Sequence, residues 1–435
     1  MPSPQTLLPW IIAGVIGVAG ILQGLHWRSS SGTGDLADLK TQLRLASEEN
    51  EMLRRENESL RSLAQGGGEV SVPQELIDRA EKECGLRYLS SPILHRIAAE
   101  ELRDRISAAI ESRLGPSGID DRQESYKLIG WLRADDDLLE QLTSVRAAVA
   151  GGWFDDVTGE GWVTDRFDLR NIPEQAVLMG ILSRILLFQH FPSSPSYPGD
   201  DAARAREALH QGVAAGSEAR FYAASALAIG FVPLKENSDL KQLMASLSPF
   251  MQGLVLFPNV TGKAYSESLY VRGNDSLQSV LRSPPQTTYS ILFSSGSASD
   301  PKALGLPSLP EEPFLTETAG ALGLRLWLVD SGAAELVDQI AMNWKNDRYL
   351  LFPDGEESVA VLWDIELENA SAADKLEALA LKRVAALAGQ HDPVLLGKAV
   401  ISSQDRHIQI TRPSATRIRF LNTAEAVTAE KLGGE

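Results

Sequence analysis

An uncharged, apolar run near the N-terminus is the feature that most limits how this chain can fold. The run extends from Leu7 to Leu25 and reads LLPWIIAGVIGVAGILQGL. A run of this length can cross a bilayer core about 30 Å thick as a helix. The preceding MPSPQT has no Lys or Arg, whereas a signal peptide starts with a basic segment. We therefore expect residues 1–28 to form a retained transmembrane anchor that crosses the membrane through residues 7–25, with a cleaved signal peptide as the alternative.

A heptad pattern follows the anchor. Its a positions are Leu36, Leu43, Asn50 and Asn57, and its d positions are Leu39, Ala46, Leu53 and Leu60. Four such heptads indicate a coiled coil, and asparagine at a favours a parallel pair because it bonds to its mate. We expect a parallel coiled-coil stalk over residues 35–64, a homodimer through residues 36–60, and a Gly-rich linker over residues 65–72. The alternative is a single amphipathic helix packed on the folded part of the chain.

The remaining composition indicates a large packed domain that does not bind nucleic acid. Of the 435 residues 43% are hydrophobic, and the net charge is −17. A phosphate backbone requires a basic protein face, so this charge excludes nucleic acid as a partner. The single cysteine, Cys84, excludes an internal disulfide.

The hydrophobic pattern after the linker predicts an α+β fold that is mainly α. The most apolar predicted helix is Gln175–Gln189, and aromatic residues around a turn predict a β-hairpin over Gly151–Thr164. Residues 257–310 are rich in Gly, Ser and Pro and are expected to form long ordered loops. Further predicted helices are 99–114, 202–215, 218–228, 240–247, 319–328, 333–343 and 372–387, and predicted strands are 347–352, 358–365, 399–402, 407–411 and 417–421. We assign residues 73–370 to one domain and residues 371–435 to a C-terminal helix and small β extension.

Short motifs follow one another in a definite order between residues 85 and 370. They are Glu100-Glu101-Leu102-Arg103, Gly130-Trp131-Leu132, Asp137-Leu138, Gly152-Trp153-Phe154-Asp155, Gln189-His190-Phe191, Phe257-Pro258 with Gly262, Pro284-Pro285-Gln286-Thr287-Thr288, and Asn343-Trp344 with Asp347-Arg348. Their order and spacing resemble a family of bacterial, usually membrane-anchored or secreted, predicted HExxH zinc metallopeptidases. The resemblance implies a zincin-like domain over residues 73–370, with the active-site helix ending at Gln189-His190-Phe191.

The zinc ligands of that family are missing at the matching positions. In HExxH the two histidines lie four residues apart on one helical face, and the glutamate is the general base. Aligned on the helix end, the histidine positions hold Gly180 and Arg184, and the glutamate position holds Ile181. The third ligand position, on the next helix, holds Gln211. Glycine and isoleucine side chains have no ligand atom, and arginine stays cationic.

Two alternatives concern the histidines and Arg184. No two of the six histidines are four residues apart, so the chain has no HExxH at another place. A relocated metal site could use His190, His210 and Glu207. An arginine within an apolar helix needs an anionic partner, and a bound carboxylate is one hypothesis for Arg184.

The resemblance implies a catalytically inactive metallopeptidase-like protein of the cell envelope, without a metal or other cofactor, that binds or regulates protein or peptide partners. The residues expected in its degenerate cleft are Gly180, Ile181, Arg184, His190, His210 and Gln211. We expect a single-pass protein of the cell membrane with its folded domain outside the cytoplasm, although Arg28 gives a weak bias against export. The rival hypotheses are a hydrolase with a relocated, non-HExxH metal site and a structural spacer.

Overall fold

The structure is a computed structural model that describes residues 68–149, 151–192, 199–229, 238–293, 304–305, 307–387, 401–403 and 406–434. The predicted anchor and coiled coil lie outside these residues. By their contacts, residues 67–435 form one compact unit. Helices outnumber strands among the elements, which confirms the α+β, mainly α prediction.

Runs of consecutive helices make up most of the chain before residue 344, and most of the strands lie from that residue onwards. In chain order the elements are α1 (Gln74–Cys84), β1 (Leu94–Ile97), α2 (Ala99–Leu114), α3 (Pro116–Ile129), α4 (Leu138–Val149), β2 (Gly152–Phe154), β3 (Gly161–Thr164), α5 (Ile172–His190), α6 (Asp200–Ile229), α7 (Ser238–Ser246), α8 (Pro249–Phe257), a π-helical turn (Pro258–Gly262), α9 (Lys263–Val271), α10 (Asn274–Arg282), α11 (Thr288–Phe293), β4 (Leu315–Glu317), α12 (Gly320–Leu328), α13 (Ala334–Met342), β5 (Trp344–Pro353), β6 (Val359–Leu367), α14 (Ala370–Leu387), β7 (Ile401–Ser403), β8 (Arg406–Ser414), β9 (Arg417–Thr423) and α15 (Ala426–Gly434).

The apolar helix predicted at Gln175–Gln189 is confirmed as α5. It packs into two hydrophobic clusters, one with strands β1, β2 and β3 and one with helices α6 and α9. By length and composition it is the one helix among the described residues that could span a membrane, and 61% of that stretch is buried inside the protein. The core helix of a soluble protein meets the same criteria.

The predicted hairpin is confirmed and extended by one strand. β2 and β3 pair antiparallel, and β1 pairs with β3 in parallel, so the small sheet has the order β1-β3-β2. In the turn, the Asp155 carboxylate accepts hydrogen bonds from the backbone N–H of Val157 and Thr158. Gly159 follows at φ 78°, a conformation that glycine adopts without steric cost.

The two helices predicted at 202–215 and 218–228 are one continuous helix, α6. Gly216 and Ser217 interrupt the hydrophobic pattern, but both are buried in the helix. A Cβ on Gly216 would collide with the Glu267 side chain of α9. The glycine therefore serves close packing rather than a helix end.

The long loops predicted over residues 257–310 are wrong for most of that segment. It contains the π-helical turn and helices α9, α10 and α11. Leu269, Leu277 and Leu281 supply the buried faces of α9 and α10. Gly273, with φ 103°, lies between α9 and α10 and separates the two helices, whereas Ser266 and Ser276 lie within them.

The second sheet has six antiparallel strands in the order β4-β5-β6-β9-β8-β7. The strands predicted from residue 347 onwards are found in it, and β6 pairs along its length with β9. The boundary expected at residue 370 has no counterpart, because strands from both sides of it share this sheet. One face of the sheet packs on α12 and α14 in the largest hydrophobic cluster.

Candidate functional site

Helices α5 and α6 lie antiparallel and bring the predicted cleft residues together. Gly180 faces Ala214 and Glu218, while Arg184 faces Glu207 and Gln211. Facing positions therefore have increasing residue numbers on α5 and decreasing residue numbers on α6, as in any antiparallel pair. A Cβ on Gly180 would lie 3.4 Å from Glu218 Oε2 and 3.8 Å from the Ala214 carbonyl oxygen. The glycine leaves a small gap between the two helices at this level.

A cavity of about 350 Å³ opens beside this helix pair. Its walls come from α2, α3, α4, β2, α5, α6, α8 and the π-helical turn. Much of the lining is aliphatic and includes Ile110, Leu142, Val145, Val177, Leu254 and Val255. The volume lies at the lower end of the range for ligand pockets, about 300–1,000 Å³.

Four of the six predicted cleft residues line this cavity, and two do not. Gly180, Ile181, Arg184 and Gln211 are in the lining. The two residues outside the lining are His190 and His210. His190 is the last residue of α5, and its Nε2 lies 2.7 Å from the Arg87 carbonyl oxygen. Burial, and then the charge of Arg184, lowers the pKa of His210 to about 4. His210 is therefore a neutral imidazole near pH 7.

Arg184 has its anionic partner within the chain. Its guanidinium donates to both carboxylate oxygens of Glu207, at 3.2 and 3.3 Å, and to Gln211 Oε1 at 2.8 Å. Burial alone would raise the pKa of Glu207, but the charges of Arg184, Arg146 and Arg113 outweigh it and hold that pKa at about 2. The Glu207 carboxylate is therefore ionised at neutral pH and bonds to Arg184 as an anion.

Gln211 connects this ion pair to the π-helical turn. Its Nε2 donates to Asn259 Oδ1 at 3.1 Å. A Cβ on Gly212 would collide with the Gly262 backbone, so α6 and the turn meet at main-chain distance. π-helical turns occur frequently at functional sites, and here the turn forms one wall of the cavity.

Most other charges in the cavity are also paired. Arg113 donates to Asp156 at 2.6 Å, and Arg122 donates to Asp200 at 2.8 Å. Two charged groups in the lining, Arg146 of α4 and Glu218 of α6, make no hydrogen bond or ion pair with any described residue.

Sequence reasoning missed Arg146 and Glu218. Glu218 lies seven residues after Gln211, which is two helical turns along the same face, so the helix period could have identified it. No sequence signal identifies Arg146, because its position depends on how α4 packs beside α5 and α6.

The described residues offer no group of three or more His, Cys, Asp or Glu side chains arranged to hold a metal ion. The relocated site considered for His190, His210 and Glu207 is not formed in them. Glu207 is bonded to Arg184, and His190 is bonded to the Arg87 carbonyl away from the cavity.

Comparison of the chain with known protein families, with curated proteins and with solved structures finds no match.

Proposed function

We propose that this chain is a catalytically inactive, metallopeptidase-like protein of the cell envelope that binds or regulates protein partners through the cavity beside α5 and α6. The observation that carries the proposal is the 2.8 Å hydrogen bond from Arg184 to Gln211. The resemblance assigns these two positions, 27 residues apart in the chain, to two ligands of one zinc ion. Two ligand positions of a real zinc site must lie this close together in space.

The residues now at those positions favour binding over hydrolysis. Metal-dependent hydrolysis needs three protein ligands and an open position for water. Gly180 and Ile181 supply no ligand atom, and the Arg184 guanidinium keeps a positive charge where the metal would lie. The cavity itself persists with an aliphatic lining and charged groups, a composition typical of binding pockets.

The proposal includes the arrangement expected from the N-terminal sequence. An anchor over residues 7–25 would hold the domain at the membrane, and a coiled coil over residues 36–60 would place two cavities side by side. Two linked sites gain avidity for a repeated partner. The rival hypothesis of a hydrolase with a relocated metal site has no described residue in its favour.

Rebuilding the zinc site tests the scaffold. The variant Gly180→His, Ile181→Glu, Arg184→His, Gln211→Glu restores three ligands and a general base. A Cβ at position 180 meets no clash, since its nearest atom would be at 3.4 Å. We expect the purified full-length variant to retain close to one zinc per chain after dialysis, and the wild type to retain none.

The matched control keeps Gln211 and carries only the other three substitutions. It offers two ligands instead of three, so it should lose its zinc on dialysis. Circular dichroism and thermal melting check that both variants fold. A folded four-substitution variant that holds no more zinc than the control would overturn the metallopeptidase scaffold.

Site-specific cross-linking in native membranes tests partner binding. A photo-reactive benzoylphenylalanine replaces Val255 in the cavity lining, and the control places it at Val271, which is 82% exposed on α9 and not in the cavity lining. We expect a discrete protein adduct from position 255 and none from position 271. Equal adducts from the two positions, or none from either, would contradict a partner-binding cavity.

A further inference from the structure

Two unpaired groups of opposite charge share the cavity. Arg146, in the last turn of α4, is partly exposed and makes no hydrogen bond or ion pair with any described residue. Glu218, on α6, is mostly buried, and burial raises the pKa of its carboxyl, with Lys263 only partly opposing this. Glu218 has lost much of its contact with water without gaining a hydrogen-bond partner among the described residues, which costs free energy, and Arg146 is partly open to solvent. Both groups can therefore bond to a ligand in the cavity.

The charges around Arg146 favour an anion. Its neighbours Arg184 and Arg113 are engaged with Glu207 and Asp156 respectively. These three arginines and two carboxylates leave one positive charge, and Arg146 is the guanidinium without a bonded partner. A planar guanidinium binds a carboxylate through two parallel hydrogen bonds.

The rest of the lining limits what carries the anion. The lining is largely apolar, its charged side chains other than Arg146 and Glu218 are already paired, and the cavity is small, which disfavours a highly charged or bulky ligand. A fatty acid supplies a carboxylate and an apolar chain but has no N–H donor for Glu218. The C-terminal end of a protein chain supplies a terminal carboxylate, apolar side chains and backbone N–H donors together.

We propose that the cavity binds the apolar C-terminal residues of a protein partner, with Arg146 bonded to the terminal carboxylate and Glu218 accepting from N–H groups. This inference rests on the proposed function and names the part of the partner that is recognised. The sequence suggested Arg184 as the residue that binds a partner's carboxylate. Because Arg184 is bonded to Glu207 and Gln211, we assign that role to Arg146 instead.

Peptide binding to the full-length protein in detergent tests the inference. The probes are N-acetylated tetrapeptides that end in leucine, valine or phenylalanine, each as the free acid and as the C-terminal amide. We expect the free acids to bind at least about tenfold more tightly than the amides, because the charge-assisted bond needs the carboxylate. Arg146→Gln should remove that difference by weakening only the free acids.

Arg146→Lys and Arg282→Gln serve as controls. Lysine keeps the charge without the planar fork, so it should keep part of the preference for free acids. Arg282 is exposed on α10 outside the cavity, and its loss should change nothing. Thermal melting of each variant shows that it is folded.

Three results would overturn the inference. They are equal binding of acids and amides, a preference for free acids that survives Arg146→Gln, and absence of peptide binding. Tighter binding of decanoate, tested in parallel, would assign the cavity to a fatty acid instead. If any of these results is found together with a specific adduct from position 255, the proposed partner binding stands. Only the inference that the cavity recognises a C-terminal carboxylate is then wrong.

Discussion

Replacing Asp200 with alanine is expected to lower the free energy of unfolding by about 3–5 kcal/mol, because it removes a buried carboxylate that Arg122 and Arg204 share. Arg122 then keeps Glu317 as a partner but loses Asp200. The Asp200 carboxylate, at the start of α6, accepts hydrogen bonds from Arg122 at 2.8 Å, from the Tyr349 hydroxyl at 2.6 Å and from the Tyr126 hydroxyl at 3.1 Å. Arg204 lies 3.4 Å away. All these groups are buried or largely so, and the variant removes the carboxylate that they share.

Urea unfolding of the full-length protein, followed by tryptophan fluorescence, measures this loss. The control is Asp168→Ala, since Asp168 pairs with the exposed Arg170 at the surface, where an ion pair contributes about 0–1 kcal/mol. If both variants lose the same stability, the buried network around Asp200 does not stabilise the fold as argued.

The contribution of Asp200 also has a pH window. Burial alone would raise the pKa of Asp200, but Arg204 and Arg122 outweigh burial and lower it to about 2. The folded state therefore holds the carboxylate ionised below the pKa of about 3.9 that it has in an unfolded chain. This stability is fully present above about pH 4 and is lost as the pH falls towards 2. Asp200→Ala should flatten the acid limb of the stability curve in that window.

Local patterns were sufficient to predict the elements that carry a long apolar run or a clear turn. The apolar sequence of α5, the turn between β2 and β3, and the apolar runs of β5 and β6 are properties of neighbouring residues. Composition predicts loops over residues 257–310, where periodicity is the better guide. In that segment glycine and proline mark the ends of short helices, and Leu277 and Leu281 carry a helical period that composition conceals.

In the site, too, some features could be predicted from the sequence and others could not. Gly180, Ile181, Arg184 and Gln211 converge on one cavity because they lie on two long helices whose faces follow from the helical period. Their partners depend on tertiary packing. The contact of Gly212 with Gly262 brings Asn259 to Gln211, and the packing of α4 brings Arg146 into the lining. Neither follows from spacing along the chain.

A double-mutant cycle on Arg184 and Glu207 is expected to show strong coupling. Arg184→Met leaves Glu207 beside an apolar side chain, and Glu207→Met leaves the guanidinium of Arg184, whose side chain is 8% exposed, without its anion. Removing one partner of such a pair costs about 3–5 kcal/mol when both are fully buried, and somewhat less here because the Glu207 side chain is 28% exposed. Replacing both by apolar residues of similar volume is often neutral or stabilising.

The double variant also separates a structural from a binding role for Arg184. Urea unfolding should show two destabilised single variants and a double variant close to the wild type. Because Arg146 remains in place, we expect the double variant to keep the preference for free-acid peptides and the adduct from position 255. A stable double variant that has lost both would show that Arg184 or Glu207 itself contacts the partner, which would move recognition from Arg146 to this pair. Additive losses in the cycle would instead show that the pair is not coupled in the folded protein.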